Sequence, residues 1–119
     1  MAQFTLLFRP QPLGKLAPTS GTPIRATANL SNAYGNTSSS LDLWARNIYV
    51  TASATNAGNV FVLYSGGNTT TLVGVVAILA PGQTWSINSS SGGNEYWVGT
   101  YLVDVATTGD YCYGGADVY

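Results

Sequence analysis

Apolar and polar positions alternate in short bursts along most of this chain, and no window holds a 3.6-residue apolar period long enough for a helix. Ile24 to Leu30 is the first expected strand. Leu41, Leu43 and Ala45 then alternate with polar positions and lead into Ile48, Val50 and Ala52. Asn56-Ala57-Gly58-Asn59 is turn chemistry, followed by a strand over Val60 to Tyr64 and a hairpin at Ser65-Gly66-Gly67-Asn68. Thr71 to Leu79 is a nearly continuous apolar and β-branched run, which predicts a strand buried on both faces. Pro81-Gly82-Gln83 turns the chain into Thr84 to Asn88. A Ser/Gly loop, Ser89 to Asn94, precedes an expected strand over Tyr96 to Ala106, and Thr107 to Asp110 turns into a last strand, Tyr111 to Tyr113. Turn signals about every 8–12 residues predict an all-β fold. The expectation is an antiparallel β-sandwich, jelly-roll- or immunoglobulin-like, with roughly 7–8 strands in two sheets over residues 24–119.

The first 23 residues follow another pattern. Pro10, Pro12, Pro18 and Pro23 fall there, interleaved with Gly14 and Gly21. Each proline fixes φ and removes a ladder donor, so this stretch is neither a helix nor a central strand. Residues 1–23 are therefore expected to form an extended arm. It opens on an apolar plug, Phe4, Leu6, Leu7 and Phe8, and continues through Arg9, Pro10, Pro12 and Lys15. An apolar plug exposed on a monomer marks an interface, and a proline-locked arm loses less entropy on docking than a flexible one. These eight residues are the candidate contacts with a neighbouring subunit or a larger shell. The other readings are a frayed terminus or a strand completing the protein's own sheet. The tail, Gly114 to Tyr119, reads equally as flexible or as a short contact segment.

Composition narrows the function. Charged residues make up 8% of the 119-residue chain, against roughly 25% in an ordinary soluble domain. There is no His and only one Cys, which excludes a His-based triad. Four cations and a net charge of -1 give no basic face for nucleic acid. The longest apolar run, Leu72 to Ala80, is about half of the ~20 residues of a helical membrane span. The N-terminus lacks the Lys/Arg region of a signal peptide. With 45% hydrophobic and 12% aromatic content, a folded domain with polar, uncharged loops is a better reading than disorder. The charges are sorted: cations lie at Arg9, Lys15, Arg25 and Arg46, and beyond Arg46 only acids occur.

The remaining chemistry is sparse. Trp44, Trp85 and Trp97, with eight Tyr, form either core packing, the default in a small sandwich, or a sugar-stacking platform. No cluster of acids or amides flanks all three Trp in the sequence. Glu95, Asp104 and Asp110 are candidate carboxylates for glycoside chemistry, yet Asp110 after Gly109 reads as a turn residue. Asp104, Asp110 and Asp117 supply too few oxygens at fixed spacing for calcium. Cys112 is expected as a buried, inert thiol. No catalytic residue, cofactor, metal or small-molecule substrate is expected.

Several stretches carry a resemblance. Arg46 to Ala52 is followed by Thr55-Asn56-Ala57-Gly58-Asn59-Val60-Phe61-Val62, then by Leu79-Ala80-Pro81-Gly82-Gln83-Thr84, then by Tyr101 to Asp110. This order resembles small virion structural proteins of tailed bacteriophages over roughly residues 44–113. The hairpin after Val62 is longer here and carries Gly66-Gly67-Asn68. The resemblance implies a β-sandwich that decorates or cements the outer surface of the capsid. Its partners would be the major capsid protein and itself, as a homotrimer, without nucleic acid or membrane. The alternatives are a carbohydrate-binding or receptor-binding tail-fibre module, or a tail or neck adaptor.

Overall fold

The computed structural model describes residues 9–30, 43–88 and 96–118. Their nine strands are β1 (Arg9–Leu16), β2 (Ile24–Arg25), β3 (Trp44–Ala52), β4 (Val60–Tyr64), β5 (Val75–Leu79), β6 (Thr84–Asn88), β7 (Tyr96–Trp97), β8 (Tyr101–Val105) and β9 (Cys112–Val118). A single 3-10 turn, Val98–Thr100, links β7 to β8. The strands build two antiparallel sheets. The larger has the order β1-β9-β3-β6, with β7 also on β3; the smaller has the order β2-β8-β4-β5. The fold is an all-β sandwich, as the alternation predicts.

The inner faces supply the core: Leu13 and Leu16 of β1, Ile48 and Val50 of β3, Val60 and Val62 of β4, Val103 and Val105 of β8, and Cys112, Ala116 and Val118 of β9. Side chains alternate across a strand, so residues three apart cannot share a face without an irregularity. Leu13 and Leu16 share one because the β1–β9 register shifts between Pro12 and Gly14, where Gly14 sits at φ 77°. Ala45 and Ile48 share one because the β3–β9 register shifts between Ala45 and Asn47. Each shift is a β-bulge that restores the inward apolar set.

Several expectations need correction. Residues 9–16 are not an arm outside the domain. They form an edge strand paired with β9 from Arg9↔Val118 to Leu16↔Cys112, and Leu13 and Leu16 are completely buried. Proline is compatible with this place because an edge strand needs only half its ladder donors. Residues 17–23 are pinned too. Ser20 N–H donates to Thr108 Oγ1 at 3.0 Å, and Gly21 N–H donates to Asp104 Oδ1 at 3.1 Å. The segment Gly114 to Val118 is no loose tail but the C-terminal part of β9, which lies between β1 and β3. The expected strand at Ile24 to Leu30 shortens to Ile24–Arg25, after which the chain turns.

The run Thr71 to Leu79 is not a strand buried on both faces. Only Val75–Leu79 is strand, and it is the edge of the smaller sheet. Asn68 Oδ1 accepts from the backbone N–H of Thr70 and Thr71 at 2.8 and 3.0 Å, which bends the chain. Leu72 adopts φ 62° at the resulting turn. The expected strand Tyr96 to Ala106 breaks at Val98–Thr100 because β7 pairs in one sheet and β8 in the other.

Candidate functional site: the outer face of the larger sheet

Of the eight interface candidates, Phe4, Leu6, Leu7 and Phe8 lie outside the described residues. Arg9 begins β1 opposite Val118. Pro10, Pro12 and Lys15 are exposed along β1, opposite Asp117, Gly115 and Tyr113. The Lys15 ammonium rests 4.4 Å from the centroid of the Tyr111 ring. The last three therefore share one edge of the larger sheet.

The turn motifs prove to be structural locks. Asn56 and Tyr111 pair in both directions: the amide donates to Tyr111 O at 2.8 Å, and Tyr111 N–H donates to Asn56 Oδ1 at 3.0 Å. Beside them, the Asp110 carboxylate accepts from Ala57 N–H at 3.0 Å and Gly58 N–H at 2.8 Å. A side chain on Gly58 would meet Thr107 Oγ1 at 2.9 Å, so only glycine lets the two loops close. Pro81-Gly82 fits a type II turn, with Gly82 at φ 84° and Gln83 N–H donating to Ala80 O at 3.0 Å. Asp110 is thus more than a turn residue: it ties one loop to another.

The other acids are equally placed. Asp104 is 1% exposed and also accepts from Val105 N–H at 2.8 Å. Asp117 accepts from the Asn47 amide at 2.7 Å. Asp104, Asp110 and Asp117 each have a partner of their own, and Glu95 lies outside the described residues. Among the described residues, no three Asp, Glu or Cys converge to hold a metal ion, and no helix is long and apolar enough to cross a membrane. Cys112 is buried, its thiol donating to Leu16 O at 3.7 Å, and burial pushes it up to about 12. Burial also raises Tyr101, whereas the hydroxyls of Ser53 and then Thr55, with Lys15, lower Tyr111.

The tryptophans divide. Trp85 of β6 is half-buried and packs at 5.2 Å on Tyr101, as core packing predicts. Trp44 and Trp97 do not join the core. They are 50% and 36% exposed and stack on each other across β3 and β7, centroids 6.4 Å apart. Their inward neighbours, Ala45 and Tyr96, pack on the core, so both indoles face outward. The reason is topological: β7 brings Trp97 beside Trp44 from far along the chain.

The same face continues with residues that sequence reasoning passed over. Asn47, Tyr49 and Thr51 point outward from β3, opposite Asn88, Ser86 and Thr84 of β6 and Asp117, Gly115 and Tyr113 of β9. Thr51 and Thr84 share a 2.7 Å hydrogen bond. A side chain on Gly115 would meet Tyr49 Cε1 and Oη at 2.9 Å. The Tyr49 ring therefore leans over β9 into the space that a Cβ would occupy, with 45% of the residue still exposed. Next to it is a recess of about 220 Å³ lined by Asn47, Ile48, Tyr49, Ser86, Ile87, Asn88, Ala116 and Asp117. Among the described residues of that lining there is no arginine or lysine. The signal that could have pointed here is the polar alternation Asn47, Tyr49, Thr51; its partners in β6 and β9 are distant in sequence.

No family model, no curated protein and no solved structure matches this chain.

Proposed function

We propose that the protein is a non-enzymatic structural component of a tailed-bacteriophage particle: a decoration protein, homotrimeric, bound in many copies to the major capsid protein on the outer surface of the head. The motif order over residues 44–113 suggests the class. The observation that carries the docking mode is β1. This edge strand exposes Pro10, Pro12 and Lys15 in a row. The apolar segment with Phe4, Leu6, Leu7 and Phe8 precedes it directly. Prolines on an edge discourage indiscriminate strand addition. Contact there rests on side-chain packing and on the residues ahead of Arg9.

The test is truncation at the point the fold allows. Removing residues 1–20 would take away Leu13 and Leu16 and unfold the sandwich, so the informative variant lacks residues 2–8. It is expected to keep the melting temperature of the full chain and to lose binding to undecorated heads in a sedimentation assay. Full occupancy of heads by this variant would refute the docking mode. Binding is also expected to persist in moderate salt, because few charges line the edge.

A further inference from the structure

We propose that the outer face of the larger sheet binds a neutral saccharide chain. In this site Trp44, Trp97 and Tyr49 stack on sugar rings, and Asn47, Asp117 and Asn88 bond their hydroxyls. The inference stands apart from the particle reading. A pyranose presents an apolar C–H face ringed by hydroxyls. An exposed aromatic face covers the first, and neighbouring amide and carboxylate oxygens and N–H groups satisfy the second. Both parts are present on one face of the sheet, on successive rungs of β3.

The rings are arranged for this use. The indoles stack on each other, which fixes their orientation before any ligand arrives. Tyr49 is held over β9 because Gly115 has no side chain. Ordered rings lose little entropy on binding. From Trp44 to Tyr49 is five residues along β3, roughly 16 Å at ~3.3 Å per residue, a track for several sugar rings in line.

The polar groups are also fixed. The 2.7 Å bond from the Asn47 amide to Asp117 Oδ2 orients both side chains. Among the described residues no other side chain bonds Asn47 Oδ1, the second amide hydrogen or Asp117 Oδ1, a mixed set that suits vicinal hydroxyls. Asn88 and Ser86 border the same recess from β6. Its charge argues for a neutral ligand: among the described lining residues, the one acidic or basic side chain besides the Tyr49 phenol is the Asp117 carboxylate, and none is a cation that would neutralise a phosphate or sulfate. Arg46 lies on the strand next to Asn47 rather than in the lining.

The experiment is affinity electrophoresis of the full chain in gels containing an α-glucan, a β-glucan, a galactan or a mannan, with alginate as the anionic comparison. At least one neutral polymer is expected to retard the protein and to shift its tryptophan fluorescence. Trp44→Ala and Trp97→Ala should each weaken that retardation at least tenfold, and Asn47→Ala should weaken it several-fold. Tyr64→Ala, at an exposed ring on the smaller sheet, should leave it unchanged. Sedimentation velocity on the same variants checks whether a second copy covers the face. The proposal is overturned if no neutral polymer retards the protein or if alginate alone does. It is equally overturned if retardation survives the double tryptophan variant, or if that variant changes the mass in solution. Head binding by the same variants is expected to be unaltered, which separates failure of this site from failure of the docking edge.

Discussion

The two sheets treat their outer faces differently. On the smaller sheet, loops fold back over part of the outer face, while Ile78 of the edge strand β5 stays 45% exposed. Leu63, outward from β4, is completely buried, with Gly67 of the following loop against its side chain. Asp104, outward from β8, is capped by the chain at Gly21. On the larger sheet the outward side chains remain open: Trp44, Tyr49, Trp97 and Tyr113 are all substantially exposed. Each sheet already has the core on its inner face. The difference is one of cover: loops bury Leu63 and cap Asp104 on one side, whereas the aromatic side chains stay in solvent on the other.

That contrast predicts unequal costs. The largest effect is expected for Leu63→Ala, which empties a fully buried site and should cost about 3 kcal/mol in urea unfolding. A cost below about 1 kcal/mol would mean that the loop cover contributes nothing. Asp104→Ala comes next, at about 2 kcal/mol, because the N–H of Gly21 loses its charged acceptor. Amide exchange should then accelerate across residues 17–23 and stay unchanged at Tyr49 and Asp117.

Cys112 sharpens the contrast between the inner and outer faces of the larger sheet. Its folded pKa is raised by burial to about 12, above its ordinary value near 9. The thiol stays protonated in the fold while the unfolded chain loses its proton. Its contribution is complete below about pH 9 and is lost as pH rises toward about 12. A maleimide at pH 8 should leave native Cys112 unlabelled and label the unfolded chain, and Cys112→Ala should remove that part of the alkaline loss. The smallest effect on stability is expected for Trp44→Ala and Trp97→Ala, within about 0.5 kcal/mol, because surface positions rarely carry more. A loss above about 2 kcal/mol would make the indole pair part of the scaffold.

Local chemistry was legible in the sequence where strand and turn signals were self-contained. Val60–Tyr64 and Thr84–Asn88 form strands as read; the chain bends at Ala57-Gly58 within the expected Asn56 to Asn59 turn, and the turn at Pro81 to Gln83 is where its residues place it. The misreadings have non-local causes. Pro10 and Pro12 suggested an arm, yet an edge strand on β9 accommodates them. Gly114 and Gly115 left the tail open between a flexible end and a contact segment, yet it is a central strand on which Tyr49 packs: a Cβ on Gly114 would strike Tyr49 O, and one on Gly115 would strike the ring. The candidate site was the least legible part. Trp44 and Trp97 are 53 positions apart and meet through β7 on β3, and Asn47 finds Asp117 only through the pairing of β3 with β9.

The claim on which the biological reading turns is that this sandwich works in many copies on a particle surface. Quantitative gel densitometry of purified virions, calibrated against the major capsid protein, tests it directly. The account predicts hundreds of copies per particle, in a fixed ratio to the capsid subunit. A count of a few to a dozen copies, or none, would contradict it.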